Sequence, residues 1–400
     1  MRKKSSTTGH ALRVQAIGLL GLGLFASSAG AGLLDTSYLT GTTPGTWQVD
    51  RFAPAIFANG GTVAGRTDVL NLGVAAADSQ ANRPGAYSSA FYNTQGRGLQ
   101  LNLPGFSVVY GSLYVPAAWA SSDGPANNRR TDLWGEASPA TGGDTCAASG
   151  CNFFPYIGFS NASPTSPLTT GGTGRFRIWD GTVGTVDLAT PVPYDQWSDV
   201  CIAFNGTDLK SYINGALAYT QTDMNHDDVA TLGPTTHFSR VLMQAYNFGA
   251  TYTAQWSGLG AGQLSAVSTH AGSGQAALPG AAFSTPLAVI ARDAGGAPLP
   301  CVPVTFVAPA SGASASLAST TVITDRFGVA TVVATANGIL GDYTVTATAP
   351  GLGAAASFAL RNGVPVVAPV PISPVTAMAS CVLLLFSAAW LRRRKPAHRR

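Results

Sequence analysis

The chain has 400 residues, room for two or three domains, with 47 Gly, 25 Pro and only 10% charged residues. Glu136 is the one glutamate beside eighteen aspartates, and four lysines stand against nineteen arginines; so poor a supply of surface-helix formers excludes a helical bundle and a doubly wound nucleotide-binding fold, and the Val, Thr, Gly and Ser bias points to strands and tight turns. The formal net charge of +4 sits in the two ends, because residues 32–362 hold 13 basic against 19 acidic side chains, and an acidic body offers nothing to a phosphate backbone, so no nucleic-acid partner is expected.

The first element is an export signal. Met1–Arg13 carries basic residues without an acid, Val14–Phe25 is apolar but for Gln15, and Ala29-Gly30-Ala31 has the small-x-small pattern of a cleavage site. Residues 1–31 therefore read as a secretory signal peptide cut before Gly32. The apolar run is too short for a bilayer, which needs about 20 residues.

From residue 32 to 260 short apolar-polar runs alternate with Gly, Pro, Asn and Asp turns. Strands are predicted at 68–74, 98–103, 107–115, 156–160, 175–180, 183–188, 197–204, 208–213, 216–220, 238–246 and 252–259. That number of short strands fits a two-sheet sandwich. The clearest stretch is Tyr194–Tyr219. Val200, Ile202 and Phe204 alternate on one face, and Asn205-Gly206 and Asn214-Gly215 mark two hairpins. This three-strand meander, with the strand around Trp256, resembles the laminin-G/concanavalin A-like jelly-roll sandwich. The resemblance implies a fold shared by lectins, adhesion modules and glycosidases, so it does not choose an activity.

Three groups in this region are candidates for chemistry. Arg130, Asp132 and Trp134 could grip a sugar or an acidic group with a guanidinium, a carboxylate and an aromatic face. The alternative is a strand-edge salt bridge with Trp134 in the core. Cys146 and Cys151 bracket four residues in a loop-like stretch of an exported chain, which reads most simply as a disulfide. Asp223, Asn225 and Asp227 place oxygen ligands at alternate positions, which suits calcium, although the stretch lacks the Gly and Glu of an EF-hand loop. The alternative there is a solvated turn. No other cofactor is suggested. Cys201 is expected in mid-strand and Cys301 in a separate domain, both as free, buried, small apolar residues.

A second unit spans residues 262–362, with Gly258–Gly262 as the expected linker. Its motifs are Asp293-x-Gly-Gly-x-Pro-x-Pro, Val304-Thr-Phe, Thr324-Asp-x-x-Gly-Val-Ala-Thr and Gly341-x-Tyr-Thr-Val-Thr-Ala. These resemble the bacterial Ig-like domain of the invasin/intimin type, group 1. The resemblance implies an extracellular β-sandwich that acts as a spacer or adhesion module. Cys301 stands where that pattern has a small residue, typically Gly, so its turn is expected to be altered.

The tail begins with a Pro-rich linker, 363–374. Val375–Leu391 follows as 17 uncharged residues and 392–400 as a basic end. At 1.5 Å per residue a helix there is about 26 Å long, the low end of a membrane span, with its basic flank cytoplasmic. Layout and Val370-Pro-Ile-Ser-Pro374 resemble C-terminal sorting signals of the Ile-Pro-Thr-Leu type. That implies export, retention in the inner membrane and cleavage by a sorting protease. The alternative is a plain single-span anchor.

Catalysis finds little support. With one glutamate the Glu-x-Asp-x-x-Glu strand of the sandwich glucanases is impossible, and no predicted strand shows a carboxylate pair to replace it. There is no Gly-x-Ser-x-Gly elbow, phosphate loop or His-Glu-x-x-His. The expected fold class is all-β: a concanavalin A-like sandwich, an Ig-like sandwich and one C-terminal membrane helix. The expected role is a non-catalytic binding or adhesion protein at the cell surface, with a glycan or a host or matrix protein as partner. The alternatives are a structural envelope or matrix component, and a polysaccharide hydrolase.

Overall fold

The computed structural model describes residues 34–40, 46–138, 153–221 and 237–364. The export signal, Cys146 and Cys151, the Asp223, Asn225 and Asp227 group and the tail from 365 onward lie outside the described residues. Among those that are described, no helix is long and apolar enough to cross a membrane.

Among the described residues, fourteen strands build the N-terminal module: β1 Gln48–Arg51, β2 Ile56–Asn59, β3 Val69–Val74, β4 Thr94–Pro104, β5 Ser107–Val115, β6 Arg130–Ser138, β7 Tyr156–Ala162, β8 Gly171–Asp180, β9 Gly184–Asp187, β10 Gln196–Phe204, β11 Leu209–Ile213, β12 Ala216–Gln221, β13 His237–Tyr246 and β14 Tyr252–Ala271. One sheet runs β1-β4-β13-β6-β7-β8-β9. The other runs β12-β11-β10-β5-β14, with β3 and then β2 added beyond β14. The strand pairings within the module, among the described residues, are antiparallel.

Period-two alternation explains the core. Val200, Ile202 and Phe204 of β10, Leu133 and Ala137 of β6, and Phe176 and Ile178 of β8 point between the sheets and are buried with Trp256 and Phe238. The expected meander is β10-β11-β12. Its second turn puts Asn214 at φ 50 and Gly215 at φ 77, as a type I′ hairpin turn requires.

The C-terminal module adds β15 Gln275–Ala277, β16 Leu287–Asp293, β17 Pro303–Val307, β18 Ala315–Leu317, β19 Thr321–Ile323, β20 Val329–Val332, β21 Ala334–Ala336, β22 Gly341–Thr348 and β23 Ala356–Asn362. The sheet β15-β23-β22-β17-β19 faces β16 and β20 across a core that includes Leu287, Val289, Phe306, Val345 and Phe358.

Two expectations need correction here. Gly258–Gly262 is not a linker, because it lies inside β14. That strand pairs with β5 as far as Gln263 and with β16 from Leu264 onward. Cys201 and Cys301 are not free: they form a disulfide between the modules, 100 residues apart in sequence. Sequence order places them in different sandwiches, but the shared strand brings the outer face of β10 against the turn before β17. Phe106, Val108, Ala203 and Tyr212 complete that contact with Leu264, Leu299 and Val302 in one apolar cluster. Cys301 sits at φ 61, a left-handed position that favours glycine, as the altered motif suggested.

Candidate functional site

The side of the seven-stranded sheet turned away from the core carries most of the buried charge in the N-terminal module. Register across the strands sorts it into rows. One row reads Asp50 on β1, Gly96 on β4, Gln244 on β13, Asp132 on β6, Gly158 on β7, Arg177 on β8 and Asp187 on β9. The adjacent row reads Gly98, Leu242, Trp134, Tyr156 and Trp179. A polar row thus runs beside an aromatic row, at right angles to strands spaced about 4.8 Å apart.

Glycines let the long side chains lie flat on the sheet. A Cβ on Gly96 would collide with Met243 O and the Gln244 side chain. On Gly158 it would meet Thr131 O and the Asp132 carboxylate, and on Gly98 it would come within 2.7 Å of Arg240 Cζ.

The carboxylates of this face have cationic or amide partners. Arg130 Nε donates to Asp132 Oδ2 at 2.7 Å. Arg175 Nε lies 2.6 Å from Asp187 Oδ2. Arg240 Nη1 reaches Asp50 Oδ1 at 3.4 Å and Glu136 Oε2 at 3.9 Å. Gln244 Nε2 also donates to Asp50 Oδ2. Burial by itself lowers the Arg130 pKa, but Asp132, with Tyr156 and Tyr246, more than offsets this and the net direction is up. Arg130 also lies over the Tyr156 ring, 5.1 Å from its centroid. Several buried polar atoms have no hydrogen-bond partner, among them Asp132 Oδ1, Trp134 Nε1, Gln244 Oε1 and Arg177 Nε. Such atoms are costly to bury.

The predicted trio Arg130, Asp132 and Trp134 does come together, alternating on one face of β6. The ion pair of the alternative reading is present, but Trp134 is not in the main core. It packs on the opposite face of the sheet with Tyr156 and Leu242. Its ring stacks on Tyr156 at 5.0 Å and is capped by Arg51, whose guanidinium lies 5.0 Å from its centroid. The aromatic side chain that stays exposed in this row is Trp179, at 39%.

Strand β6 also corrects the expectation that no strand carries a carboxylate pair. Asp132 and Glu136 share this face, four residues apart. That spacing is about 13 Å along a strand, beyond the roughly 5–9.5 Å between the carboxyl groups of glycosidases.

Sequence reasoning missed Asp50, Arg51, Tyr156, Arg177, Trp179 and Arg240. The pattern Arg175-Phe-Arg-Ile-Trp179 was the available signal, with Arg, Arg and Trp on one face and Phe and Ile on the other. Among the described residues, no group of three or more His, Cys, Asp or Glu could hold a metal ion.

Residues 134–259 match the concanavalin A-like lectin/glucanases superfamily. The N-terminal module accordingly has the concanavalin A-like fold, and the chain is all-β in its described parts. Solved structures similar to the chain include a β-glucanase of Bacillus licheniformis, at 12% identity and TM-score 0.29 over 55% of this chain and 92% of that one. A carbohydrate-binding module from Bacillus subtilis matches at 9% identity and TM-score 0.23, over 42% of this chain and 81% of that one. The D00-D0 domain of intimin matches at 14% identity and TM-score 0.21, over 42% of this chain and 64% of that one, so less than two thirds of the intimin segment is spanned. No curated protein matches the sequence. The match of the concanavalin A-like module begins at Trp134 and so takes in β6 from its aromatic residue onward, together with β7, β8 and β13 of the same sheet.

Proposed function

We propose that this protein is an exported, non-catalytic glycan-binding protein of the bacterial cell surface, and that the outward face of the seven-stranded sheet is its binding surface. The observation that carries the reading is the pair of adjacent rows. Trp179 offers exposed ring surface beside the buried stack of Tyr156 and Trp134, and Asp132 Oδ1, Gln244 Oε1 and Trp134 Nε1 are unpaired polar atoms buried next to that stack. Aromatic walls with a few convergent polar groups are the usual make-up of small-ligand sites. The superfamily match supports the same ligand class.

The non-catalytic reading rests on the spacing of Asp132 and Glu136, on the Arg130–Asp132 ion pair and on Arg240, which lies between Asp50 and Glu136. The export reading draws support from the Cys201–Cys301 disulfide, since such bonds persist mainly in oxidising compartments. The C-terminal module would act as an Ig-like spacer of the invasin/intimin type, and the tail as a sorting signal.

A glycan array probed with the full chain tests the binding reading. Expected are hits that weaken about tenfold or more on Trp179→Ala, the loss of one buried aromatic contact. Absence of any hit would favour a structural envelope role, and turnover of a polysaccharide would overturn the non-catalytic reading. Intact mass with cell fractionation tests the tail. A surface or medium form ending upstream of Val375 is expected, and an inner-membrane form retaining Arg400 would overturn sorting.

A further inference from the structure

We propose that the glycan taken by this face is anionic, and that Arg51 and Arg177 receive its carboxylate or sulfate groups. This rests on the glycan reading above and narrows it.

Among the described residues the face holds five arginines and four carboxylates, inside a body that is acidic as a whole. Arg130, Arg175 and Arg240 each have a carboxylate oxygen at 3.4 Å or less, in Asp132, Asp187 and Asp50. Arg51 and Arg177 stand apart. The nearest carboxylate oxygen to Arg51 is Asp50 Oδ2 at 3.7 Å, and to Arg177 it is Asp187 Oδ1 at 3.8 Å. Both distances exceed a hydrogen bond. Among the described residues neither guanidinium donates a hydrogen bond, and Arg177 Nε is fully buried.

Desolvating a charge without a close partner is unfavourable. The cost is visible as a downward push by burial on both guanidinium groups, which Asp50 only partly counters at Arg51; at Arg177 Tyr156, Asp132 and Asp187 oppose it, Arg130 adds to it and the net direction is down. Arg51 bears a second cost. Its backbone is left-handed, at φ 57, which disfavours any residue with a Cβ. What holds it is a sandwich of rings, with its guanidinium 4.9 Å from the Phe91 centroid and 5.0 Å from that of Trp134. These two ring contacts position the guanidinium, and its N–H groups donate to no partner among the described residues.

Arg177 lies on β8, two strands from the β6 position over which Arg51 is stacked. Two strand spacings are about 10 Å, so the site would take two anionic groups on one chain. A guanidinium fork matches a carboxylate or sulfate through paired hydrogen bonds, which a sugar hydroxyl cannot supply.

The test measures binding of the full chain to polygalacturonate, a sulfated galactan and a neutral β-glucan, for wild type, Arg51→Gln, Arg177→Gln and Trp179→Ala. Near-ultraviolet circular dichroism checks that each variant is folded. Expected is binding of one charged polymer about tenfold or more tighter than the neutral glucan. Each arginine variant should lose about tenfold for that polymer and distinctly less for the glucan. Which polymer responds separates carboxylate from sulfate. Equal or tighter binding of the glucan, lost on Trp179→Ala, would overturn the anionic proposal and keep the glycan reading. Binding of charged polymers that ignores both arginines would also overturn it. No binding to any of the three would count against both.

Discussion

At the scale of single residues, the site depends on what glycine leaves out. Gly158 underlies the Asp132 carboxylate and Gly98 the Arg240 guanidinium, and a methyl group meets different obstacles at each. At Gly158 one obstacle is the backbone oxygen of Thr131, which cannot move without disturbing β6. Gly158→Ala should therefore cost about 1–3 kcal/mol, read as a lower midpoint in chemical denaturation. At Gly98 the nearest atoms all belong to the end of the Arg240 side chain. Gly98→Ala should then displace Arg240 at a stability cost below about 1 kcal/mol, with the effect appearing in ligand affinity instead. Arg51 gives the converse case. Because its φ is 57, Arg51→Gly should be more stable than Arg51→Ala by about 1 kcal/mol, although glycine has the more flexible unfolded chain. Comparing the two midpoints checks this. The reverse order would mean that the backbone there is not strained.

At the scale of elements, β6 is the strand on which fold and site meet. Its inward side contributes Thr131, Leu133 and Ala137, and Thr131 Oγ1 accepts from Trp256 Nε1 at 2.8 Å while donating to Gln244 O at 2.9 Å. That hydroxyl ties the two sheets together at the centre of the module. Thr131→Val keeps the shape but orphans a buried indole N–H, so a loss of about 1–3 kcal/mol is expected in the unfolding free energy. The sequence nevertheless shows β6 poorly. In Arg130-Thr-Asp-Leu-Trp-Gly-Glu-Ala-Ser138 the residues on the functional face are charged or aromatic, and the inward ones include a threonine and a glycine. Apolar alternation, the signal by which β5 and β10 are recognised, is therefore missing. The meander β10-β11-β12 was legible because its inward residues are Val200, Ile202, Phe204 and Leu209 and its turns are both Asn-Gly. The trio Arg130, Asp132 and Trp134 could be singled out by residue type. Arg51, Arg177 and Arg240 could not be joined to it, because they arrive from β1, β8 and β13 and only the register of the folded sheet aligns them.

At the scale of the whole molecule, the two modules are joined in three ways: by the unbroken strand β14, by the disulfide between Cys201 and Cys301, and by the apolar cluster around Phe106, Tyr212 and Leu299. The disulfide closes a separation of 100 residues, the kind of long loop for which a cross-link most restricts the unfolded chain. Its removal should cost about 2–5 kcal/mol. The apolar contact alone rests on a handful of N-terminal side chains, so the bond also decides whether the modules unfold together. Calorimetry of the oxidised protein should show one transition. In Cys201→Ala/Cys301→Ala the C-terminal module should melt separately and at lower temperature. Cys301 allows a finer comparison, since it occupies a left-handed backbone position at φ 61. Cys201→Ala/Cys301→Gly removes the same bond but relieves that strain, and should recover about 1 kcal/mol relative to the double alanine variant. A single transition, shifted to lower temperature, in both variants would mean that strand β14 and its neighbours couple the modules without the bond. The disulfide would then stabilise the folded chain without governing how force or motion passes from one sandwich to the other.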